Sequence, residues 1–132
     1  MALAEYASLS DDRHRLLRET ARAFAEREIR PIAGELDESE RYPSELYAKM
    51  AGLGMFGITV PEALGGAGCD VLAYAQVMEE LARGYASVAD QCGLVELVAT
   101  LLVEHGTPGQ QARYLAPLLK GQRSGLFKQP RR

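Results

Sequence analysis

The chain has 132 residues, of which 47% are hydrophobic and 25% are charged, and its formal net charge is −3. This length fits one domain with enough apolar side chains to bury a core. The acidic balance and the absence of a basic stripe argue against a nucleic-acid-binding protein. No segment resembles a signal peptide, and the apolar run at residues 94–103 is too short for a bilayer. The sequence therefore predicts a cytoplasmic protein without membrane insertion.

Cysteine and histidine are sparse in this chain. Cys69 and Cys92 form no close pair, and His14 and His105 lie near neither of them in the sequence. This spacing fits no familiar set of metal ligands. We predict two reduced, packed thiols and no metal site.

The first predicted helix begins with Ser10 as its N-cap, and the acids that follow suit a helix N-terminus. Its apolar residues recur at steps of three and four, as on one face of a helix. These residues are Leu17, Ala21, Phe24, Ala25, Ile29, Ile32 and Leu36. Pro31 falls within the pattern and should kink the helix or end its first part.

The second predicted helix has Pro43 at its first position and ends at Gly52 and Gly54. The letters "GLGMFG" at residues 52–57 match G-x-G-x-x-G, the pattern of a dinucleotide-binding loop. Such a loop requires a strand before the glycines and a helix after them. Here a helix precedes the glycines, and an extended segment with Pro61 follows them. We therefore interpret the motif as a helix end and a turn.

The third predicted helix begins after Asp70, a good N-cap. Its predicted buried face comprises Val71, Tyr74, Val77, Met78 and Leu81.

The fourth predicted helix begins at Ser87, with Asp90 placed to form a capping box or to complement the helix dipole. Glu96 and two other polar residues, Thr100 and Glu104, form one narrow stripe. The rest of the circumference is apolar, which predicts a central and mostly buried helix.

The fifth predicted helix begins with Thr107 as cap, Pro108 at the first position and Gln110 closing a capping box. Its predicted inward residues are Tyr114, Leu115, Leu118 and Leu119, with a break near Pro117. About five helices with short loops predict an all-α helical bundle.

Glu96 is the most suggestive single candidate for chemistry. A buried carboxylate at mid-helix could act as a base. The alternative is a stripe residue that faces solvent or a partner domain, and the pattern favours it because no second catalytic group accompanies Glu96. The residues alone therefore indicate no catalytic residue and no cofactor-binding residue.

Longer motifs in order along the chain resemble the N-terminal domain of the acyl-CoA dehydrogenases. The first helix ends in "IRPIAGELD", and "LGMFGITVPEALGGAG" follows the second helix. Further on, "MEELAR" and "HGTPGQQARYLAPLLKG" are similar to family segments. The resemblance covers residues 12–127 and indicates a helical domain at 1–127 with an atypical basic tail at 128–132.

The resemblance implies an FAD-dependent oxidoreductase that dehydrogenates acyl-CoA thioesters and, at full length, forms a homo-oligomer. It places most of the flavin site and the catalytic base in a β domain and a second helical domain beyond this region. By position, the fourth helix would line the acyl chain through Asp90, Gly93, Leu94 and Leu97.

After Phe127 the chain departs from the family pattern and stops, which suggests a truncated, frameshifted or isolated domain that is inactive alone. It should then expose an apolar face where the missing β domain docks. Two alternatives remain. One is a non-enzymatic helical interaction module derived from the fold, and the other is a related flavoprotein such as an acyl-CoA oxidase.

Overall fold

Helices make up nearly all the regular structure of this computed structural model, which describes residues 11–122. Seven α-helical segments follow one another in the chain. They are α1 (Asp12–Phe24), α2 (Ala33–Ser39), α3 (Ser44–Gly52), α4 (Val71–Gly84), α5 (Ala86–His105), α6 (Pro108–Gln110) and α7 (Ala116–Leu119). Within residues 11–122 there is no strand, so the all-α prediction is confirmed. The predicted cap Ser10 and the basic tail lie outside the described residues.

The seven segments form five helices because helical turns join α1 to α2 and α6 to α7. Pro31 lies in the first junction and Pro117 lies in the first turn of α7, and each lacks the N–H that would continue an α-helix. A π-helical stretch precedes each proline, Ala25–Ile29 in the first helix and Gln111–Leu115 in the last. The predicted interruptions therefore take the form of wider helical turns, followed in the first helix by a tighter 3-10 turn at Arg30–Ile32 that contains Pro31, and the chain then continues as a helix.

Several predicted helix ends are confirmed in detail. The Asp70 side chain accepts a hydrogen bond from the Ala73 N–H at the start of α4. Thr107 and Gln110 form the predicted capping box at the start of α6. Pro43 precedes α3 as its N-cap rather than occupying its first position.

The start of α5 differs from the prediction. Tyr85 is the N-cap and provides no side-chain hydrogen bond, so Ser87 and Asp90 form no capping box. Asp90 lies beyond the first turn and is exposed, which removes its predicted role at the helix dipole. The tight connection between Gly84 and Ala86 leaves Tyr85 as the single linking residue.

The loop between α3 and α4 folds back on itself and packs against the bundle. The Cys69 N–H donates to the Ile58 carbonyl oxygen at 2.9 Å, which closes the loop. Gly57 has φ of 77°, and a Cβ on it would lie 2.5 Å from Leu119. Gly57, the third glycine of "GLGMFG", thus marks a turn packed against α7, in agreement with the interpretation of this motif as a helix end and turn.

The core lies between α1, α4, α5 and the loop. Of the first predicted face, five residues are buried, namely Ala21, Phe24, Ala25, Ile29 and Leu36. Two other predicted core residues are wrong: Val71 is 72% exposed and Tyr114 is 41% exposed. Helical periodicity placed both side chains on an apolar side of a helix, but periodicity cannot show whether a neighbouring element covers that side.

An ion pair links α1 to α4 at the edge of this core, with a buried Glu80 and a half-exposed Arg22. Glu80 is only 2% exposed, and both of its oxygens accept hydrogen bonds from Arg22, at 3.0 and 2.7 Å. The guanidinium lowers the pKa of Glu80, which keeps the buried carboxylate charged. A buried acid is tolerated here because it is paired in bidentate geometry.

Helix α5 contains the apolar run at residues 94–103. At 20 residues it is long and apolar enough to cross a membrane, and it is the one such helix among residues 11–122. Core helices of globular proteins pass the same test, and about a third of the most apolar window is buried in the bundle. The run is short, as the sequence indicated, but the helix that contains it is not.

Candidate functional site

The four residues predicted to line an acyl chain share one side of α5. Asp90, Gly93, Leu94 and Leu97 are spaced by three and four residues, which places them in a row along the helix. Asp90 is exposed, Leu97 is 50% exposed, and Gly93 and Leu94 are half-buried. The prediction of a mostly buried helix is therefore wrong on this side, which faces outward from the bundle.

The row belongs to a wider apolar surface that spans two helices. Leu101 is 47% exposed and extends the row by one turn of α5. Gly93 lies close to two side chains of α4. A Cβ added to it would be 3.2 Å from the Tyr74 hydroxyl and 3.3 Å from the Met78 methyl group. We call this surface the outer face, and it comprises Val71, Tyr74, Met78, Gly93, Leu94, Leu97 and Leu101.

Glu96 lies behind the outer face and is 5% exposed, so the prediction that it faces solvent or a partner is wrong. One oxygen accepts from the Ile58 N–H at 2.9 Å. The other accepts from the Thr59 N–H at 2.7 Å and the Thr59 hydroxyl at 2.5 Å. Because loop N–H groups have no helical partner, the carboxylate supplies the acceptors that they need. Glu96 therefore holds the loop in place, and its carboxylate does not point to the outer face, where it could act as a base.

Cys92 also joins α5 to the loop. Its thiol is fully buried and donates a hydrogen bond to the Met55 carbonyl oxygen at 3.1 Å. Burial raises the pKa of Cys92 to about 12, so the thiol stays protonated at neutral pH. This thiol is free and packed, as the sequence predicted, and it lacks the thiolate character of a nucleophile.

A second polar cluster links the beginnings of α1 and α4. His14 is largely buried, and its Nδ1 lies 2.7 Å from Asp11 while its Nε2 lies 2.8 Å from Asp70. Each aspartate also caps the helix that follows it. The hydrogen bond to Asp70 is the largest cause of a raised pKa of His14, and Asp11 adds to it, whereas burial opposes the rise. This arrangement favours a charged imidazolium that holds the two helix starts together.

The fold brings one histidine of this cluster close to a cysteine that is distant in the sequence. His14 and Cys69 line one cavity of about 180 Å³, although 55 positions separate them in the sequence. Across residues 11–122, no group of three or more His, Cys, Asp or Glu side chains is arranged to hold a metal ion. The cluster is accordingly a structural link between helices.

A family model for the acyl-CoA dehydrogenase N-terminal domain matches residues 11–122. The match extends over the whole described part of the chain. The chain belongs to the acyl-CoA dehydrogenase family. It is an acyl-CoA dehydrogenase N-terminal domain, and members of this family are FAD enzymes.

Individual relatives agree with this assignment. Over 117 residues the domain is 44% identical to the short-chain-specific acyl-CoA dehydrogenase of Clostridium acetobutylicum, covering 85% of this chain and 30% of the relative. Butyryl-CoA dehydrogenase from Megasphaera elsdenii matches with a TM-score of 0.79 and 32% identity, covering 87% of this chain and 31% of that one. Glutaryl-CoA dehydrogenase from Mycobacterium smegmatis, in complex with FADH2, has a TM-score of 0.83 at 24% identity and covers 89% of this chain and 31% of that one, which supports the fold alone. The chain thus spans about three tenths of the length of these relatives.

The "GLGMFG" motif offers no cradle for a flavin phosphate. Gly52 ends α3 and the other two glycines lie in the loop that follows, so no helix N-terminus faces an anion there. This motif therefore does not form a phosphate-binding loop.

The contacts of Glu96 with the loop and of His14 with Asp70 were not predicted from the sequence. A lone acid within an apolar run was a usable signal that Glu96 has internal partners. No sequence signal could pair His14 with Asp70, because that contact depends on how α1 and α4 pack.

Proposed function

We propose that this domain works within an FAD-dependent acyl-CoA dehydrogenase that acts on acyl-CoA thioesters in fatty-acid or amino-acid breakdown. In this proposal α5 forms one wall of the acyl pocket through Asp90, Gly93, Leu94 and Leu97. A β domain and a second helical domain supply most of the flavin site and the catalytic base. The complete enzyme is a cytoplasmic homo-oligomer, and the present chain alone binds no FAD and has no dehydrogenase activity.

The outer face is the observation that supports this proposal. Leu97 and Leu101 leave about half of their surfaces in water, and Val71 leaves more. Full burial of an apolar side chain contributes roughly 1.5–3 kcal/mol of favourable free energy. Exposed apolar side chains that recur along one side of a helix indicate a contact with a ligand or another domain. Its place on α5 coincides with the acyl wall that the family resemblance implies.

A hybrid enzyme tests the proposal. Residues 11–122 replace the matching segment of the Clostridium acetobutylicum relative, and FAD content and oxidation of butyryl-CoA are measured. We expect a flavin-containing, active hybrid. Leu97→Asp should lower kcat/KM at least about tenfold, because burying a carboxylate against an acyl chain is costly.

Leu16→Asp is the matched control, because Leu16 is 64% exposed but lies on α1, in the groove beside α3. We expect this variant to keep the hybrid's activity. Equal kcat/KM for the Leu97→Asp and Leu16→Asp hybrids would refute the assignment of α5 as the acyl wall. A hybrid that holds FAD but never turns over would favour the non-enzymatic interaction module.

A further inference from the structure

A cavity of about 380 Å³ lies where α2, α3 and the beginning of α5 meet. Its volume falls within the range of small-molecule sites. Three tyrosines from separate segments line it, namely Tyr42, Tyr47 and Tyr85, over apolar contacts from Leu36 and Val88. Neither the family resemblance nor the proposed acyl wall accounts for this group of aromatic side chains.

The three tyrosine rings are held in different ways. Tyr47 lines the cavity and is 7% exposed, so most of its surface is packed within the domain. The Tyr42 and Tyr47 rings lie 4.9 Å apart between centroids and are tilted by 52°, so they do not stack face to face. Tyr85, by contrast, donates its hydroxyl hydrogen to Asp37 at 2.9 Å, which fixes the position of its ring. The cavity therefore combines one ring that is anchored by a hydrogen bond with two rings that lie beside each other.

The charges around the cavity are mostly negative. Asp37 and Glu40 line it, and Asp90 lies close enough to Tyr47 to add to the rise that burial causes in the pKa of that phenol. Arg41 also lines the cavity, but Glu35 and Glu45 bind its guanidinium at 2.8 and 2.7 Å.

Helix ends alter this balance little. The starts of α3 and α5 each add roughly half a positive charge, while the end of α2 adds a similar negative one. Three carboxylates near the cavity outweigh this contribution. An anion would consequently meet net repulsion there.

We propose that this cavity binds a small quaternary ammonium ion. Such an ion is held by electron-rich aromatic faces and nearby carboxylates, and it needs no hydrogen-bond acceptor of fixed direction. Asp90 lies near both this cavity and the proposed acyl wall, but none of the residues that line the cavity belongs to that wall. The trimethylammonium group could come from a free molecule such as choline or from a methylated lysine.

Titration of the present chain followed by NMR tests the proposal. Tetramethylammonium and choline should give saturable shifts at Tyr42, Tyr47, Tyr85 and Val88. The neutral analogue of choline, with carbon in place of nitrogen, should bind at least about tenfold more weakly because it lacks the charge. A trimethyllysine peptide that binds at least tenfold tighter than choline would identify a methylated protein as the source, and equal or weaker binding would identify the free ion.

Two exposed tyrosines provide a matched pair of variants. Tyr42 is 49% exposed and Tyr114 is 41% exposed, so neither substitution should prevent folding. Tyr42→Ala should weaken choline binding at least about fivefold, whereas Tyr114→Ala, remote from the cavity, should leave it unchanged. The proposal is overturned if no signal saturates, if the neutral analogue binds equally well, or if the two variants behave alike.

Discussion

The two sides of α5 invert the usual arrangement of a surface helix. The side that faces the bundle carries Glu96, while the side that faces outward carries Leu94, Leu97 and Leu101. The inner carboxylate is balanced by three hydrogen-bond donors from the loop. Nothing in residues 11–122 balances the outer leucines in the same way. The comparison shows that the inner side is satisfied within this domain, whereas in the proposed function the acyl chain or another domain covers the outer side.

Removal of the inner carboxylate is expected to change the stability of the domain most. Glu96→Ala should lower the free energy of unfolding by about 3 kcal/mol or more, since hydrogen bonds to a charged group contribute roughly 1.5–3 kcal/mol and their loss leaves buried N–H groups unpaired. Urea denaturation measures this change. Glu104→Ala, exposed on the same helix, should cost less than about 0.5 kcal/mol. Similar costs for the two variants would show that Glu96 does not hold the loop.

A smaller and pH-dependent effect is expected from the link between α1 and α4. Because the pKa of His14 is raised, its stabilisation is fully present below its ordinary value of 6.5 and is lost as the pH rises through the folded-state value. The difference in Tm between the native chain and His14→Gln should therefore shrink toward alkaline pH.

The link also has an acid limit. The pKa values of Asp11 and Asp70 are lowered, chiefly by hydrogen bonds from the backbones of His14 and Ala73, so their stabilisation is lost as the pH falls through the folded-state values. His105→Gln is the control, since the His105 side chain is 73% exposed. A Tm difference for His14→Gln that stays constant from mild acid to alkaline pH would contradict a charged link.

The smallest effect on the isolated chain is expected at the outer face. Leu97→Ala should cost at most about 1 kcal/mol, because half of the side chain is already in water. Leu81→Ala, at a fully buried position of α4, should cost about 3 kcal/mol through lost transfer energy and a cavity. Thermal or urea unfolding compares the pair. Equal costs would mean that Leu97 is already packed within this domain.

Local signals in the sequence were sufficient for the helices and several caps. Asp70, Thr107 and Gln110 use short-range hydrogen bonds that a few neighbouring letters specify. The same letters could not predict which side of a helix is covered. Val71 and Tyr114 fit their helical periods, but both are exposed in the part of the chain that the structure describes. Periodicity identifies an apolar side of a helix but not the body that buries it.

The candidate site shows the same limit more strongly. Asp90, Gly93, Leu94 and Leu97 were chosen from a family resemblance, and their role as an acyl wall stays a prediction. The inner role of Glu96 depends on a loop 37 residues earlier in the chain, so no local pattern could reveal it. Long-range packing therefore decides the parts of the site that carry the strongest hydrogen bonds.

Protection of the outer face tests the central claim most directly. Leu97→Cys and Leu16→Cys are each made in a Cys69→Ser background, where the remaining thiol of Cys92 is buried and protonated. Thiol-labelling rates are then compared between the isolated domain and the hybrid enzyme. The account predicts that labelling after Leu97→Cys slows at least about tenfold in the hybrid while labelling after Leu16→Cys does not change. Equal labelling at position 97 in both forms would contradict it.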